Sequence, residues 1–165
     1  MSKSEDALKE AFAGESQANR RYLAFAAKAD QEGYSQAARL FRAAAAAETV
    51  HAHNHLRALK AIRSTRENIQ EAVAGETHEF KKMYPAMLEA ARAEGNKDAE
   101  RSFNYANEVE KVHARLYEQM LVDLAGTQAA YPYYVCPVCG YTAEGEAPEV
   151  CPVCGAKGKM FSKVE

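Results

Sequence analysis

The stretch AAAAETVHAHNH at residues 44–55 and its counterpart NEVEKVHARL at residues 107–116 decide the fold. Each embeds a Glu-x-x-His pair, Glu48 with His51 and Glu110 with His113, in a helix-forming background. Residues three apart on an α-helix share one face a turn apart, so both side chains of a pair can reach one ion. A single such pair on a charged helix is commonplace and reads as a solvated contact. Two of them, each inside an apolar stripe, call for another explanation.

Working outward, apolar residues recur at helical spacing from Ser4 to about Gly126, in a background of Ala, Glu, Lys, Arg and Leu. Four long helices are predicted. The first runs from about Ser4 to Glu32 and stops at Gly33, with Leu8, Phe12, Glu15, Asn19, Tyr22 and Ala26 on its inward stripe. The second starts at Ser35 as N-cap and reaches about Arg63, with Leu40, Phe41, Ala44, Glu48, His51, His55 and Leu59 near one face. The Ala43 to Ala47 run permits close helix approach. The third covers roughly Arg66 to Glu94 and stops at Gly95, presenting Ile69, Val73, Glu76, Phe80, Met83 and Met87. Pro85 inside it is expected to kink it or to open a backbone bond at Lys81. The fourth runs from about Lys97 to Ala125, ends at Gly126, and presents Phe103, Ala106, Glu110, His113, Tyr117, Met120 and Leu124. Residues 63 to 75 read either as a crossover or as the first turns of the third helix.

Glu15 precedes Glu48 by 33 positions and Glu76 precedes Glu110 by 34, each pair spanning a short Gly turn. The helical part therefore reads as two copies of one hairpin. One Glu from each of two helices plus Glu-x-x-His from each of two others is the ligand set of di-iron and di-manganese carboxylate sites in helix bundles. Carboxylates pushed into a core cost several kcal/mol each if left unpaired, so cations must balance them. Glu79, a turn beyond Glu76, can add a fifth carboxylate; five Glu, two neutral His and two ferrous ions leave a charge of about −1. An oxygen-rich set with a few imidazoles suits iron or manganese better than zinc, and iron is the expected metal. Tyr22 and Tyr84 are candidates to hydrogen-bond ligand carboxylates, with plain core packing the alternative. His53, His55 and His78 are expected at the surface or beside the ligands.

After a linker at residues 127–134 the character changes: Pro and Gly recur, helical period disappears, and short strands with turns are expected. The domains predicted are a helical bundle over 1–126 and a small β module over 135–165. All four cysteines lie in the latter, as Cys136-Pro-Val-Cys139-Gly and Cys151-Pro-Val-Cys154-Gly. Two such knuckles make a tetrahedral all-sulfur site for iron or, alternatively, zinc. A net charge of −2 without a basic stripe argues against a nucleic-acid partner. No apolar run at the N-terminus suggests a signal or a membrane span, so a cytoplasmic location is expected.

Together these residues resemble the rubrerythrin family along nearly the whole chain. The most specific pieces are Gly14-Glu15-Ser16-Gln17-Ala18, Glu48-x-x-His51, Gly75-Glu76-Thr77-His78-Glu79 followed by Met83-Tyr84-Pro85, Glu110-x-x-His113, and Tyr134-Val135-Cys136-Pro137-Val138-Cys139-Gly140-Tyr141. The resemblance implies a mainly α fold, a ferritin-like four-helix bundle with a C-terminal rubredoxin-like β domain. It implies that Glu48 and Glu110 bridge two irons, with Glu15 on one and Glu76 and His113 on the other. Glu79 and His51 would be alternative ligands exchanged with redox state; with Tyr22 and Tyr84 they are the candidate catalytic residues. It further implies a homodimer, hydrogen peroxide as oxidant, and an NAD(P)H-dependent reductase or rubredoxin feeding electrons to a mononuclear iron at the four cysteines. The rival readings are a ferroxidase of the ferritin class, and a non-enzymatic module with zinc in the cysteine site.

Overall fold

A computed structural model describes residues 2–124, 126 and 130–165. The chain divides into two compact units at the Arg63–Ser64 junction. In the first, α1 (Lys3–Gln31) starts with a capping box in which Ser2 and Glu5 bond each other's backbone N–H groups. Gly33, at φ +83°, makes the left-handed turn that reverses the chain into α2 (Ser35–Ala58). The buried positions of this hairpin are small: Ala26, Ala29, Ala38, Ala45 and Ala52. Without side-chain bulk the two backbones approach closely enough for the Asn19 amide to donate to the Ala45 carbonyl at 2.7 Å. Phe25 and Phe41 meet edge to face at 5.5 Å, with Tyr22 against both.

Two expectations are corrected here. Tyr34, not Ser35, is the N-cap of α2, and it makes no side-chain cap bond. The helix also stops at Ala58, short of Arg63, because Lys60 takes φ +55° and the N–H groups of Lys60 and Ala61 turn back to the carbonyls of Arg57 and Leu56. This is a Gly-type helix end made by a lysine.

In the second unit, Ser64 and Glu67 form another capping box and start α3 (Thr65–His78), so the stretch left open between crossover and helix is helix from Thr65 onward. A wide turn of π-helix follows at Glu79–Met83, then α4 (Tyr84–Ala93). The cause is Pro85, which has no N–H to give Lys81; the preceding N–H, of Tyr84, bonds Glu79 five residues back. The hairpin repeat shows the same event as an insertion: Tyr22 lies seven residues after Glu15, whereas Tyr84 lies eight after Glu76. Gly95 at φ +69° turns the chain, Asn96 caps the Ala99 N–H, and α5 (Lys97–Asp123) packs back on α3 and α4.

Ala125 at the expected helix end and residues 127–129 of the expected linker lie outside the described residues. Strand β1 (Tyr133–Val135) begins inside the stretch expected as linker. It is the middle strand of an antiparallel sheet, flanked by β2 (Thr142–Glu144) and β3 (Ser162–Val164), with Val135 opposite both Thr142 and Ser162. A 3₁₀ turn at Gly158–Met160 precedes β3. Strand β2 lies against α5, and Gly140 comes within 3.8 Å of Val109 at the position a Cβ would take. The chain is thus mainly α with a small four-cysteine β domain, and no helix among the described residues is long and apolar enough to cross a membrane.

Candidate metal centres

Each helical hairpin brings one set of donors together. In the first, Glu15 of α1 meets Glu48 and His51 of α2. His51 Nδ1 is 2.8 Å from Glu48 Oε2 and 3.9 Å from Glu15 Oε1. The Asn19 amide, one turn from Glu15, also reaches Thr49 Oγ1 at 2.9 Å, and Thr49 donates in turn to Ala45 at 3.1 Å. That clamp fixes the α1–α2 register beside the two carboxylates. The Tyr22 ring lies beside those of Phe25 and Phe41.

In the second hairpin, Glu76 of α3 meets Glu110 and His113 of α5. His113 Nδ1 is 2.7 Å from Glu110 Oε2 and 3.9 Å from Glu76 Oε1, so the triad repeats the first in its internal distances. Its histidine is more enclosed, 27% exposed against 53% for His51. Burial and then the Glu110 charge push the Glu76 carboxyl up to about 7, against the opposing effect of His113. Glu79 is raised for the same two reasons. His113 is raised too, chiefly by its bond to Glu110. Tyr84 is held above the usual phenol range by burial and by the charges of Glu110, Glu79 and Glu76. Negative charge thus accumulates here faster than the protein neutralises it. A cavity of about 500 Å³, lined by Ile69, Leu116, Met120 and Tyr133 among others, opens on Glu76 and His113.

The four cysteines converge as well, unlinked by disulfides. Cys136 Sγ is 3.6 Å from Cys154 Sγ, and Cys139 Sγ is 3.5 Å from Cys151 Sγ. A tetrahedron of sulfurs about 2.3 Å from a central ion has edges of roughly 3.8 Å, so this spacing fits a tetrathiolate ion closely. Although burial opposes it, the Val138 and Cys139 amides bring the Cys136 thiol down to about 7. Burial raises Cys139 and Cys154, each of which still receives one backbone amide, from Tyr141 and Ala156. Amides aimed at crowded sulfurs are the provision for thiolates around a cation. The carboxylate triads pass a similar test, since hard oxygen donors with one imidazole each, mutually repelling without a cation, suit divalent iron or manganese.

Two residues near these centres were not among the candidates taken from the sequence. Thr142 of β2 meets His113 Nε2 at 3.0 Å through its Oγ1. Asn107, a turn before Glu110, is 8% exposed, and its Oδ1 has no hydrogen-bond partner among the described residues. Thr142 was unforeseeable because the contact joins two domains, whereas Asn107 was readable as a polar residue on the inward face of α5.

These features define the class of helical-hairpin carboxylate proteins with an appended four-cysteine knuckle domain. Comparison with known proteins narrows it. The family model Rubrerythrin matches residues 6–121, and the model for the rubredoxin-like domain of rubrerythrin matches residues 134–162. Rubrerythrin-2 of Clostridium acetobutylicum is 40% identical, the match covering 94% of each chain. Nigerythrin of Nitratidesulfovibrio vulgaris is 36% identical over 84% of this chain and 75% of its own. A structure of nigerythrin in a mixed-valence state superposes with a TM-score of 0.60 at 34% identity, covering 99% of this chain and 88% of that one. The chain belongs to the rubrerythrin family.

Proposed function

We propose that the protein is a non-haem iron peroxidase of the rubrerythrin type, reducing hydrogen peroxide to water at a di-iron site with electrons relayed through an iron–tetrathiolate centre. The observation that carries this reading is the repeated triad, Glu15, Glu48 and His51 in one hairpin and Glu76, Glu110 and His113 in the other, with matching internal distances. These six residues with Glu79 would hold the two irons, and Cys136, Cys139, Cys151 and Cys154 the third. When bound, ferrous ions supply Lewis acidity toward both peroxide oxygens and the two electrons that break the O–O bond.

The chain's own residues do the rest. Glu48 and Glu110 each hold their histidine ring by a bond to Nδ1, so the imidazoles are oriented before any ion arrives. Glu79, on the widened π turn, is positioned by backbone irregularity rather than by regular helix, which suits a carboxylate that changes ligation. Tyr84, near three carboxylates and held protonated, can give a proton to a leaving oxygen; Tyr22 would serve the first hairpin in the same way. His51, half exposed, has room to move. We take the working form to be a cytoplasmic homodimer in oxidative-stress defence, supplied by an NAD(P)H-linked reductase or a rubredoxin.

The test is rapid mixing of the anaerobic ferrous protein with peroxide or with oxygen. Faster oxidation by peroxide supports the peroxidase, whereas preference for oxygen with mineral formation supports the ferroxidase. Glu79→Ala should slow peroxide turnover and leave the thiolate-iron spectrum unchanged; unaltered turnover removes Glu79 from the mechanism.

A further inference from the structure

The two triads match at Nδ1 and differ at the other ring nitrogen. Among the described residues His51 pairs through Nδ1 alone. His113 pairs through both nitrogens, its Nε2 lying 3.0 Å from Thr142 Oγ1. The direction of that second bond follows from chemistry. Thr142 Oγ1 also lies 3.1 Å from the Gly140 carbonyl, which cannot donate, so both contacts are hydrogen bonds only when the single hydroxyl proton goes to that carbonyl. The oxygen facing His113 then offers a lone pair, and Nε2 must carry the proton. With the Nε2 proton fixed, the proton that Nδ1 gives to Glu110 is the one a metal would displace, and Nδ1 is the atom beside Glu110 and Glu76.

We propose that Thr142 is a positioning residue for the second triad, locking the His113 ring in its Nε2–H form and turning Nδ1 toward the carboxylate pair. This deepens the proposed function and rests on the triads being metal sites. Its origin in the fold is specific. Thr142 opens β2, whose register against β1 is set opposite Val135, one residue before Cys136. The Gly140 carbonyl that takes the hydroxyl proton follows Cys139 directly, and its own N–H bonds the Cys136 carbonyl at 2.9 Å. The thiolate knuckle thereby holds the threonine, and the threonine holds the histidine. The four-cysteine domain acts as a structural part of the carboxylate site as well as a neighbour of it, and the second triad is a rigid ligand set where the first is adjustable.

The test uses the full chain with ¹⁵N-labelled histidine, comparing wild type, Thr142→Val, which keeps the shape and removes the hydroxyl, and Thr142→Ser, which restores it. The His113 Nε2–H resonance, assigned by its loss in His113→Asn, should be visible and protected from exchange in wild type and Thr142→Ser, and absent or fast-exchanging in Thr142→Val. Mn²⁺ binding, followed by the resonance of the free ion, should weaken roughly 10- to 100-fold for one ion in Thr142→Val and recover in Thr142→Ser. An unprotected Nε2–H in wild type, or one unchanged in Thr142→Val, overturns the lock. A protected Nε2–H in a chain that binds no Mn²⁺ keeps the lock and refutes the metal-site reading instead.

Discussion

Replacing Glu76 by Gln should stabilise the metal-free protein, and only at neutral to alkaline pH. In the folded chain burial and the Glu110 charge move the Glu76 carboxyl from 4.5 to about 7. A carboxyl with a raised folded pKa binds its proton more tightly when folded. Its destabilising effect is therefore absent below about pH 4.5, grows as pH rises, and is complete above about pH 7. The full shift corresponds to about 3 kcal/mol, and solvent screening of a side chain still 21% exposed lowers this to about 1–2 kcal/mol. Gln keeps the shape and cannot ionise. Urea unfolding of the metal-free proteins should then show Glu76→Gln more stable at pH 8, with a midpoint higher by roughly 0.5–1 M, and nearly equal to wild type at pH 5. Loading with a divalent ion should reverse the order at pH 8, because the variant lacks a ligand charge. A variant less stable than wild type at pH 8 without metal, or a difference independent of pH, refutes the claim that Glu76 is held there against its own charge.

Other consequences are as direct. Asn19→Leu removes two bonds donated by one amide and should cost about 1–2 kcal/mol in chemical unfolding, with weaker metal binding at Glu15 and Glu48. Gly158→Ala would drive a methyl into the Pro148 carbonyl; the four-cysteine domain should lose its iron–thiolate absorption while helical circular dichroism persists. Cys136→Ala removes a thiol that two backbone amides bring down to about 7, and should abolish that visible absorption without changing Mn²⁺ uptake by the triads.

How much could be read beforehand depended on whether the determinant was local. Helical period carried Glu15 and Glu48 to one face each, and the Glu-x-x-His spacing carried the histidines with them. The same logic grouped Glu76, Glu110 and His113, and the knuckle spacing grouped the cysteines. Pro85 announced the irregular turn, though not that an inserted residue would be absorbed as π-helix, placing Glu79 where the first hairpin has no equivalent acid. The helix starts, expected at about Ser4 and Arg66, fall instead behind capping boxes at Ser2 and Ser64. The early end of α2 was not legible, because Lys60 adopts a backbone shape that sequence habitually assigns to glycine. Thr142 lay furthest from view: its role depends on β2 docking against α5, a contact between surfaces with no shared period.

The central claim is that the acidic side chains within each hairpin are gathered to bind divalent iron. Anaerobic titration of the metal-free chain with ferrous ion, followed by calorimetry and Mössbauer spectroscopy, tests it most directly. Two ions per chain in oxygen and nitrogen coordination, beside one in the tetrathiolate site, are predicted. Uptake confined to the four cysteines would contradict it.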